Sequence, residues 1–228
     1  KQFFFSELKS IQEDSEIESF FFILTEYLHN LKRIDVSMNP NFEVSEVDLA
    51  KWNAIISELK TEKPIQYITG EAWFYGYRFE VNENTLIPRP ETEELVEWII
   101  SEIPNSKSKN LTILDIGTGS GCIPISLKKE IPNAEVFTID VSEKAIETAK
   151  KNAIDNEADV NFIHQNILEV ESLEKLQAIN SKLPTKFDII ISNPPYVRNL
   201  EKQEIKKNAN HIWLCLLKTQ MRYCFIEK

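Results

Sequence analysis

The sequence is poor in the residues that build disulfide frameworks and metal sites. Among 228 residues, three are cysteine and three are histidine, and neither type is clustered. An odd cysteine count without paired spacing argues against disulfides and zinc. The chain also lacks an apolar run of the ~18–20 residues that a membrane span requires, and it shows no signal-peptide pattern. These absences predict a soluble, cytoplasmic protein with no metal and no membrane partner.

Positive charge is also scarce relative to negative charge. The 26 lysines and arginines are outnumbered by 36 acidic residues, which gives a net charge of −10. Enzymes that act on duplex nucleic acid usually carry a basic stripe that neutralises phosphates. The composition therefore disfavours a stand-alone DNA enzyme.

Glycine is absent from the first 63 residues, and apolar residues recur there at helical intervals. Ser15 followed by Glu18, and Ser45 followed by Asp48, have the spacing of helix N-terminal capping motifs. This part of the chain is predicted to form a small helical bundle.

A change of pattern follows Pro64. The aromatic and β-branched stretch Trp73–Val81 contains Gly76 and predicts a short hairpin. Beyond it, helical and strand patterns alternate, which predicts an α/β domain with a parallel, doubly wound sheet. The predicted strands are 111–116, 135–139, 161–163 and 187–192, and the predicted helices are 91–102, one from about 122, and 142–156.

A glycine loop follows the first predicted strand of this domain. It reads Gly117-Thr118-Gly119-Ser120-Gly121 and is preceded by Asp115. Such a loop lets a ligand approach the backbone, although a tight structural turn is the alternative. The last glycine of the dinucleotide fingerprint is replaced by Cys122, and no Gly-Lys-Ser/Thr of a P-loop follows.

A second acid, Asp140, ends the next predicted strand, 25 residues after Asp115. A carboxylate in that place can accept hydrogen bonds from both ribose hydroxyls, whereas a helix N-terminal acid is the structural alternative. The layout suits a nucleoside without a phosphate, such as S-adenosylmethionine.

The motif Asn193-Pro194-Pro195-Tyr196 follows the apolar strand 187–192. An Asn side-chain oxygen and a carbonyl freed by the prolines can accept both N–H bonds of a planar NH₂ group, against which a tyrosine ring can pack. Fixing both hydrogens orients a weakly nucleophilic amide nitrogen for methyl transfer and stabilises the charge that develops on it. A turn that merely ends the strand is the alternative.

Together these motifs resemble the release-factor glutamine N5-methyltransferases, a branch of the Rossmann-like methyltransferases. The resemblance extends to about Asn208 and includes Pro64–Glu71, Phe74–Gly76 and the Pro-Arg-Pro-Glu-Thr-Glu segment within Leu86–Glu93. The Asn-Pro-Pro-Tyr motif is shared with adenine-N6 methyltransferases, but the segment before it is more specific to this family.

The resemblance implies a fold and a set of partners. A helical domain at 1–70 would dock the release factor, and a hairpin linker would span 71–90. A Rossmann-like class I methyltransferase domain, incomplete at its C-terminus, would occupy 91–208. The enzyme would be a monomer that uses S-adenosylmethionine, acts on the glutamine of the Gly-Gly-Gln motif in peptide-chain release factors, and binds no nucleic acid directly. An adenine-N6 nucleic-acid methyltransferase and an inactive truncated product are the alternatives.

The resemblance also implies roles for individual residues. Asn193, Pro194 and Tyr196 would be catalytic, and the acceptor site would add Pro195, Pro90 and Glu91. The cofactor would be bound by Asp115, Gly117, Thr118, Gly119, Gly121, Asp140, Val141, Asn166 and Thr92. Asn166 stands where the family often has an acid beside the adenine.

The last segment, 209–228, departs from the family pattern. It holds two of the three cysteines and no glycine. We expect a sheet of about four strands with an exposed edge, and an irregular helix through Ile212, Leu214, Leu216 and Leu217 in a tail to which we assign no function.

Our hypothesis for this departure is a frameshift, in the gene or in its sequencing, that replaced the family's C-terminal segment. Back-translating Ala209–Lys228 and shifting the frame by two bases gives a stop-free reading that begins Glu-Pro and resembles the missing family segment. We predict that sequencing the coding DNA across Asn208 will show that segment out of frame; its absence would refute the hypothesis.

Overall fold

The computed structural model describes residues 1–39, 42–103, 111–170, 172–184, 186–193 and 223–226. The chain divides into two compact units, Lys1–Gly70 and Glu71–Lys228. Within the described ranges, no helix is both long and apolar enough to cross a membrane.

The first unit is a bundle of short helices, as the periodicity predicts. The helices are α1 (Gln2–Leu8), α2 (Asp14–His29), α3 (Arg33–Met38), α4 (Glu46–Leu59) and α5 (Ile65–Thr69). Trp52 lies in their core, where its ring packs edge-on against Phe4 and its indole N–H donates to Nε2 of His29 at 3.0 Å. A tryptophan donor buried in this way needs such a partner.

One of the two predicted helix starts is confirmed. The hydroxyl of Ser45 accepts a hydrogen bond from the Asp48 backbone N–H at 3.1 Å and caps α4. The prediction for Ser15 is wrong, because α2 already begins at Asp14 and its N-cap residue is Glu13. Acidic residues at the start of α2 interact favourably with the helix dipole, so that helix begins without a hydroxyl cap.

The second unit opens with the predicted hairpin and continues with alternating elements. Strands β1 (Glu71–Phe74) and β2 (Tyr77–Glu80) pair antiparallel. After them come α6 (Pro90–Glu102), β3 (Thr112–Ile116), α7 (Cys122–Glu130), β4 (Glu135–Asp140), α8 (Glu143–Asp155), β5 (Val160–His164), a 3₁₀ turn (Ile167–Glu169), α9 (Leu173–Ile179), β6 (Ile189–Ser192) and β7 (Tyr223–Ile226).

The main sheet is parallel, with strand order β5-β4-β3-β6-β7. Successive residues of a strand point to opposite faces of the sheet, and each face packs into an apolar cluster. Ile189 and Ile191 of β6 pack into one apolar cluster, which includes Ile99 and Ile125 from the helices, and Ile190 packs into the other. This arrangement confirms the predicted α/β class and the parallel, doubly wound sheet.

The expectation of about four strands is wrong for the described residues, since β7 makes a fifth. Its backbone pairs with β6 in parallel, Ile189 opposite Tyr223 and Ser192 opposite Ile226. The segment Tyr-Cys-Phe-Ile is rich in residues that favour strands, and pairing satisfies the edge of β6. The helix expected through Ile212–Leu217 lies outside the described residues.

Candidate functional site

The carboxyl ends of the parallel strands bring the predicted site residues to one edge of the sheet. The glycine loop follows β3, Asp140 ends β4, Asn166 follows β5 and Asn193 follows β6. The ends of β3 and β6 are joined directly, because the Ser192 hydroxyl donates to the Ile116 carbonyl at 3.0 Å. Ligands of α/β proteins bind at this edge.

The glycine loop is held by the neighbouring strand and its terminal acid. The Gly117 N–H donates to the Ile139 carbonyl at 2.8 Å, and the Gly119 N–H donates to Oδ2 of Asp140 at 3.0 Å. The other oxygen of Asp140 accepts from the Ser142 N–H at 2.8 Å. Each carboxylate oxygen can accept a further hydrogen bond, so Asp140 keeps acceptor capacity for a ligand.

Gly119 and Gly121 have different structural roles in the loop. Gly119 has φ +53°, and a Cβ built there meets no atom within 4 Å, so the loop leaves room beside the backbone for a ligand. Gly121 has φ +83°, and a Cβ there would lie 2.9 Å from Cδ1 of Ile125 and 3.0 Å from Cβ of Ala149. The second glycine therefore permits close packing of α7 against α8.

We expect Gly121→Ala to destabilise the protein more than Gly119→Ala. Both changes force alanine into a left-handed conformation at about 1–2 kcal/mol, but only the change at Gly121 also overpacks the core, which costs about a further 1–3 kcal/mol. Thermal unfolding of both variants and the parent measures this difference. Equal melting temperatures for the two variants would contradict the packing role of Gly121.

Asp115 lies beneath the loop, fully buried. It pairs across the sheet with Thr138, whose hydroxyl donates to Oδ2 of Asp115 at 2.6 Å. The Thr118 hydroxyl contacts the Thr138 hydroxyl at 2.7 Å, so the predicted cofactor residue Thr118 turns its side chain into this buried chain of hydroxyls. The remaining oxygen of Asp115, Oδ1, has no hydrogen-bond partner among the described residues.

Burial raises the pKa of the Asp115 carboxyl to about 7, because an ionised group is poorly solvated there. The Thr138 hydrogen bond opposes this shift, and the negative charge of Asp140 adds to it. Asp115 is therefore partly protonated near neutral pH.

This raised pKa predicts a pH-dependent stability that Asp115→Asn removes. In the unfolded chain an aspartate titrates near pH 4. The stability that the protonated Asp115 gives the folded protein is therefore fully present below pH 4 and is lost as the pH rises through about 7. The asparagine variant keeps the Thr138 hydrogen bond without this loss. The difference between its melting temperature and that of the parent should increase by several degrees from pH 4 to pH 8. A difference that stays constant over this range would contradict the raised pKa.

Asn193 is oriented by a residue of the Pro-Arg-Pro-Glu-Thr-Glu segment. Its Nδ2 donates to the hydroxyl of the buried Thr92 at 3.0 Å. Thr92 lies in the first turn of α6, and the next residue, Glu93, accepts from the Tyr75 N–H of the hairpin turn at 2.8 Å. Because Nδ2 is engaged by Thr92, Oδ1 is the acceptor that Asn193 presents.

The other predicted site residues occupy less distinctive places. Asn166 caps the 3₁₀ turn by accepting from the Leu168 N–H at 3.1 Å, and its amide donates to Glu169 at 2.9 Å. Val141 is exposed after β4, and Pro90 and Glu91 are exposed at the start of α6. Their ligand contacts stay predictions, and Pro194, Pro195 and Tyr196 lie outside the described residues.

Two family profiles match the chain. The profile described as PrmC N-terminal domain matches residues 2–70, and the Methyltransferase small domain matches residues 95–212.

Relatives match across both units. A release factor glutamine methyltransferase of Flavobacterium psychrophilum is 57% identical over 207 residues, which cover 90% of this chain and 69% of the relative. The protein of the same name from Bacteroides thetaiotaomicron is 37% identical over 202 residues, covering 89% of this chain and 68% of the relative. The chain belongs to the release factor glutamine methyltransferase family. It thus spans about two thirds of the length of these two family members, and the family expected from the motifs is confirmed.

A solved structure shares the fold over part of the chain. A human methyltransferase 10 domain containing protein aligns with a TM-score of 0.51 at 21% identity, covering 66% of this chain and 71% of that chain. At this identity the likeness shows the methyltransferase fold alone.

One residue beside the glycine loop was missed by the sequence reasoning. Asn152 of α8 is fully buried, and its Nδ2 donates to the Ser120 carbonyl at 2.8 Å. Its signal was a polar residue next to Ala153 and three after Ala149, among the buried positions of α8.

Proposed function

We propose that this protein transfers a methyl group from S-adenosylmethionine to the side-chain amide nitrogen of a glutamine in a peptide-chain release factor. The acceptor is the glutamine of the Gly-Gly-Gln motif, and the helical unit 1–70 docks the release factor. Family membership and the names of the relatives support this function. The observation that carries it is the carboxamide of Asn193, held by Thr92 at the same sheet edge as the glycine loop and Asp140.

The residues at the loop fit this cofactor. The open space beside Gly119 admits a ligand against the backbone, and Asp140 retains acceptor capacity for ribose hydroxyls. When bound, S-adenosylmethionine would supply a methyl group activated by a positively charged sulfur; its S–CH₃ bond breaks as the N–CH₃ bond forms, S-adenosylhomocysteine leaves, and the nitrogen releases one proton. Gly117, Gly119 and Asp140 hold it at the edge of the sheet that Asn193 also reaches.

On the acceptor side, Asn193 aligns the glutamine amide. An amide nitrogen is a poor nucleophile, because its lone pair is delocalised into the carbonyl. Oδ1 of Asn193 and the Pro194 carbonyl accept the two N–H bonds, fix the plane of the amide and stabilise positive charge on nitrogen as the new bond forms. Thr92 contributes by holding Nδ2, so that the asparagine presents oxygen rather than nitrogen.

Adenine in nucleic acid presents a similar planar NH₂ group and is the competing acceptor. The net charge of −10 opposes phosphate binding, and the relatives carry the name of a protein methyltransferase. Both observations favour glutamine in a protein.

Methyl transfer is tested with tritiated S-adenosylmethionine and a release factor, beside the same factor with its Gly-Gly-Gln glutamine changed to alanine. We expect label only in the glutamine-bearing factor. Asn193→Ala should lower the rate about 10²–10³-fold, the usual effect of removing one group that stabilises developing charge.

Asn133→Ala provides the matched control, because this exposed asparagine precedes β4 and so lies at the opposite, amino-terminal edge of the sheet. It should transfer methyl at the parent's rate. A DNA duplex offered in the same assay tests the competing acceptor: label in DNA and not in the factor would overturn the proposal, as would no label in any acceptor.

A further inference from the structure

Helix α8 contacts the open edge of the hairpin through polar side chains. Residues four apart share one face of a helix, as Thr148 and Asn152 do on α8, and Asn156, the C-cap residue of that helix, follows four positions later. Their partners alternate along β2 and its continuation, where they are Asn82, Glu80 and Arg78 respectively. At Glu80 and Arg78 these side chains bond backbone groups that a further strand would otherwise pair.

Asn152 makes the closest of these contacts and is also bonded to the glycine loop. Its Oδ1 accepts from the Glu80 N–H at 2.6 Å, and its Nδ2 donates to the Glu80 carbonyl at 2.9 Å, as a neighbouring strand would. The second hydrogen of Nδ2 goes to the Ser120 carbonyl at 2.8 Å. Both donors and the acceptor of this fully buried side chain are therefore used.

The loop is fixed at two successive residues by side chains from either end of α8. Asp140, just before the helix, accepts from the Gly119 N–H, and Asn152, in its third turn, donates to the Ser120 carbonyl. Without Asn152 that carbonyl would be buried with no donor, and a buried unsatisfied carbonyl is costly. The Ser120–Gly121 peptide would then lose the partner of its carbonyl while its N–H still donates to the Thr118 carbonyl at 2.8 Å, and the loop beside Gly119 would become more mobile.

We propose that Asn152 is a positioning residue of the cofactor site, which fixes the Ser120 carbonyl and thereby holds the glycine loop in its ligand-ready conformation. The step from loop to cofactor rests on the function proposed above. The effect on the loop itself does not.

Hydrogen exchange in the ligand-free protein measures the loop directly. Asn152→Ala should raise exchange about three- to tenfold in peptides covering residues 117–121, because the loop loses one buried hydrogen bond. Exchange in β2 should rise as well, since Glu80 loses two partners. Unchanged exchange in the loop, with faster exchange in β2, would refute the proposal.

Asn156→Ala is the matched control. Asn156, the C-cap residue of α8, lies four positions after Asn152. Its side chain donates to the Arg78 carbonyl at 2.9 Å and to the Asn152 carbonyl at 2.8 Å, and it makes no hydrogen bond to the described residues of the loop. This variant should raise exchange in β2 only. Loop exchange that rises equally in both variants would reduce Asn152 to a general stabiliser of the hairpin. If Asn152→Ala does not fold, Asn152→Leu replaces it, because leucine keeps the volume of this buried side chain and lacks the donor to Ser120.

Titration with S-adenosylhomocysteine separates the two proposals. If the parent binds and Asn152→Ala binds about tenfold more weakly while Asn156→Ala matches the parent, both are supported. A parent that does not bind would count against the proposed function, and the exchange data would still decide the role of Asn152. A parent and an Asn152→Ala variant that bind equally well would overturn the positioning role.

Discussion

The convergence of parallel strands at one edge is the constraint on which the site depends. Because β3, β4 and β6 run in the same direction, each residue that follows a strand end arrives at the same place, although Gly117 and Asn193 are far apart in sequence. The hydrogen bond from Ser192 to the Ile116 carbonyl fixes two of these ends against each other. The glycine loop after β3 and Asn193 after β6 are therefore neighbours by topology, before any side chain is considered.

Hydrogen bonds from helices outside the sheet then orient the groups at that edge. Thr92 on α6 turns the Asn193 carboxamide, and Glu93 beside it holds the hairpin turn through the Tyr75 N–H. Asn152 on α8 joins the other end of the hairpin to the glycine loop. The hairpin is thus linked to the Asn193 side of the candidate site through α6 and to the glycine loop through α8. This gives a physical reason why the hairpin motif and the Pro-Arg-Pro-Glu-Thr-Glu segment occur in the same sequence as the glycine loop.

The sequence predicted what depends on local chemistry and failed where tertiary contacts decide. Alternating strands and helices, the loop after β3 and the Ser45 cap follow from periodicity and spacing, and the structure has them. Ser15 had the spacing of a cap, yet α2 begins one residue earlier. The strand Tyr223–Ile226 was not predicted, because its pairing with β6, a strand distant in sequence, decides its conformation. Asn152 was missed because its partners are backbone groups distant in sequence.

The polar groups buried under the loop lower the stability of the folded protein. Asp115 has one carboxyl oxygen without a hydrogen-bond partner among the described residues, and such a group destabilises a fold by about 1–3 kcal/mol. Its other oxygen organises Thr138, which in turn contacts the Thr118 hydroxyl of the loop. An apolar pair at these positions would stabilise the sheet more simply but would leave the loop without this support from below. The loop is therefore held from beneath by the hydrogen bonds that link Asp115, Thr138 and Thr118, and from the side by Asp140 and Asn152, so its shape is set before a ligand arrives.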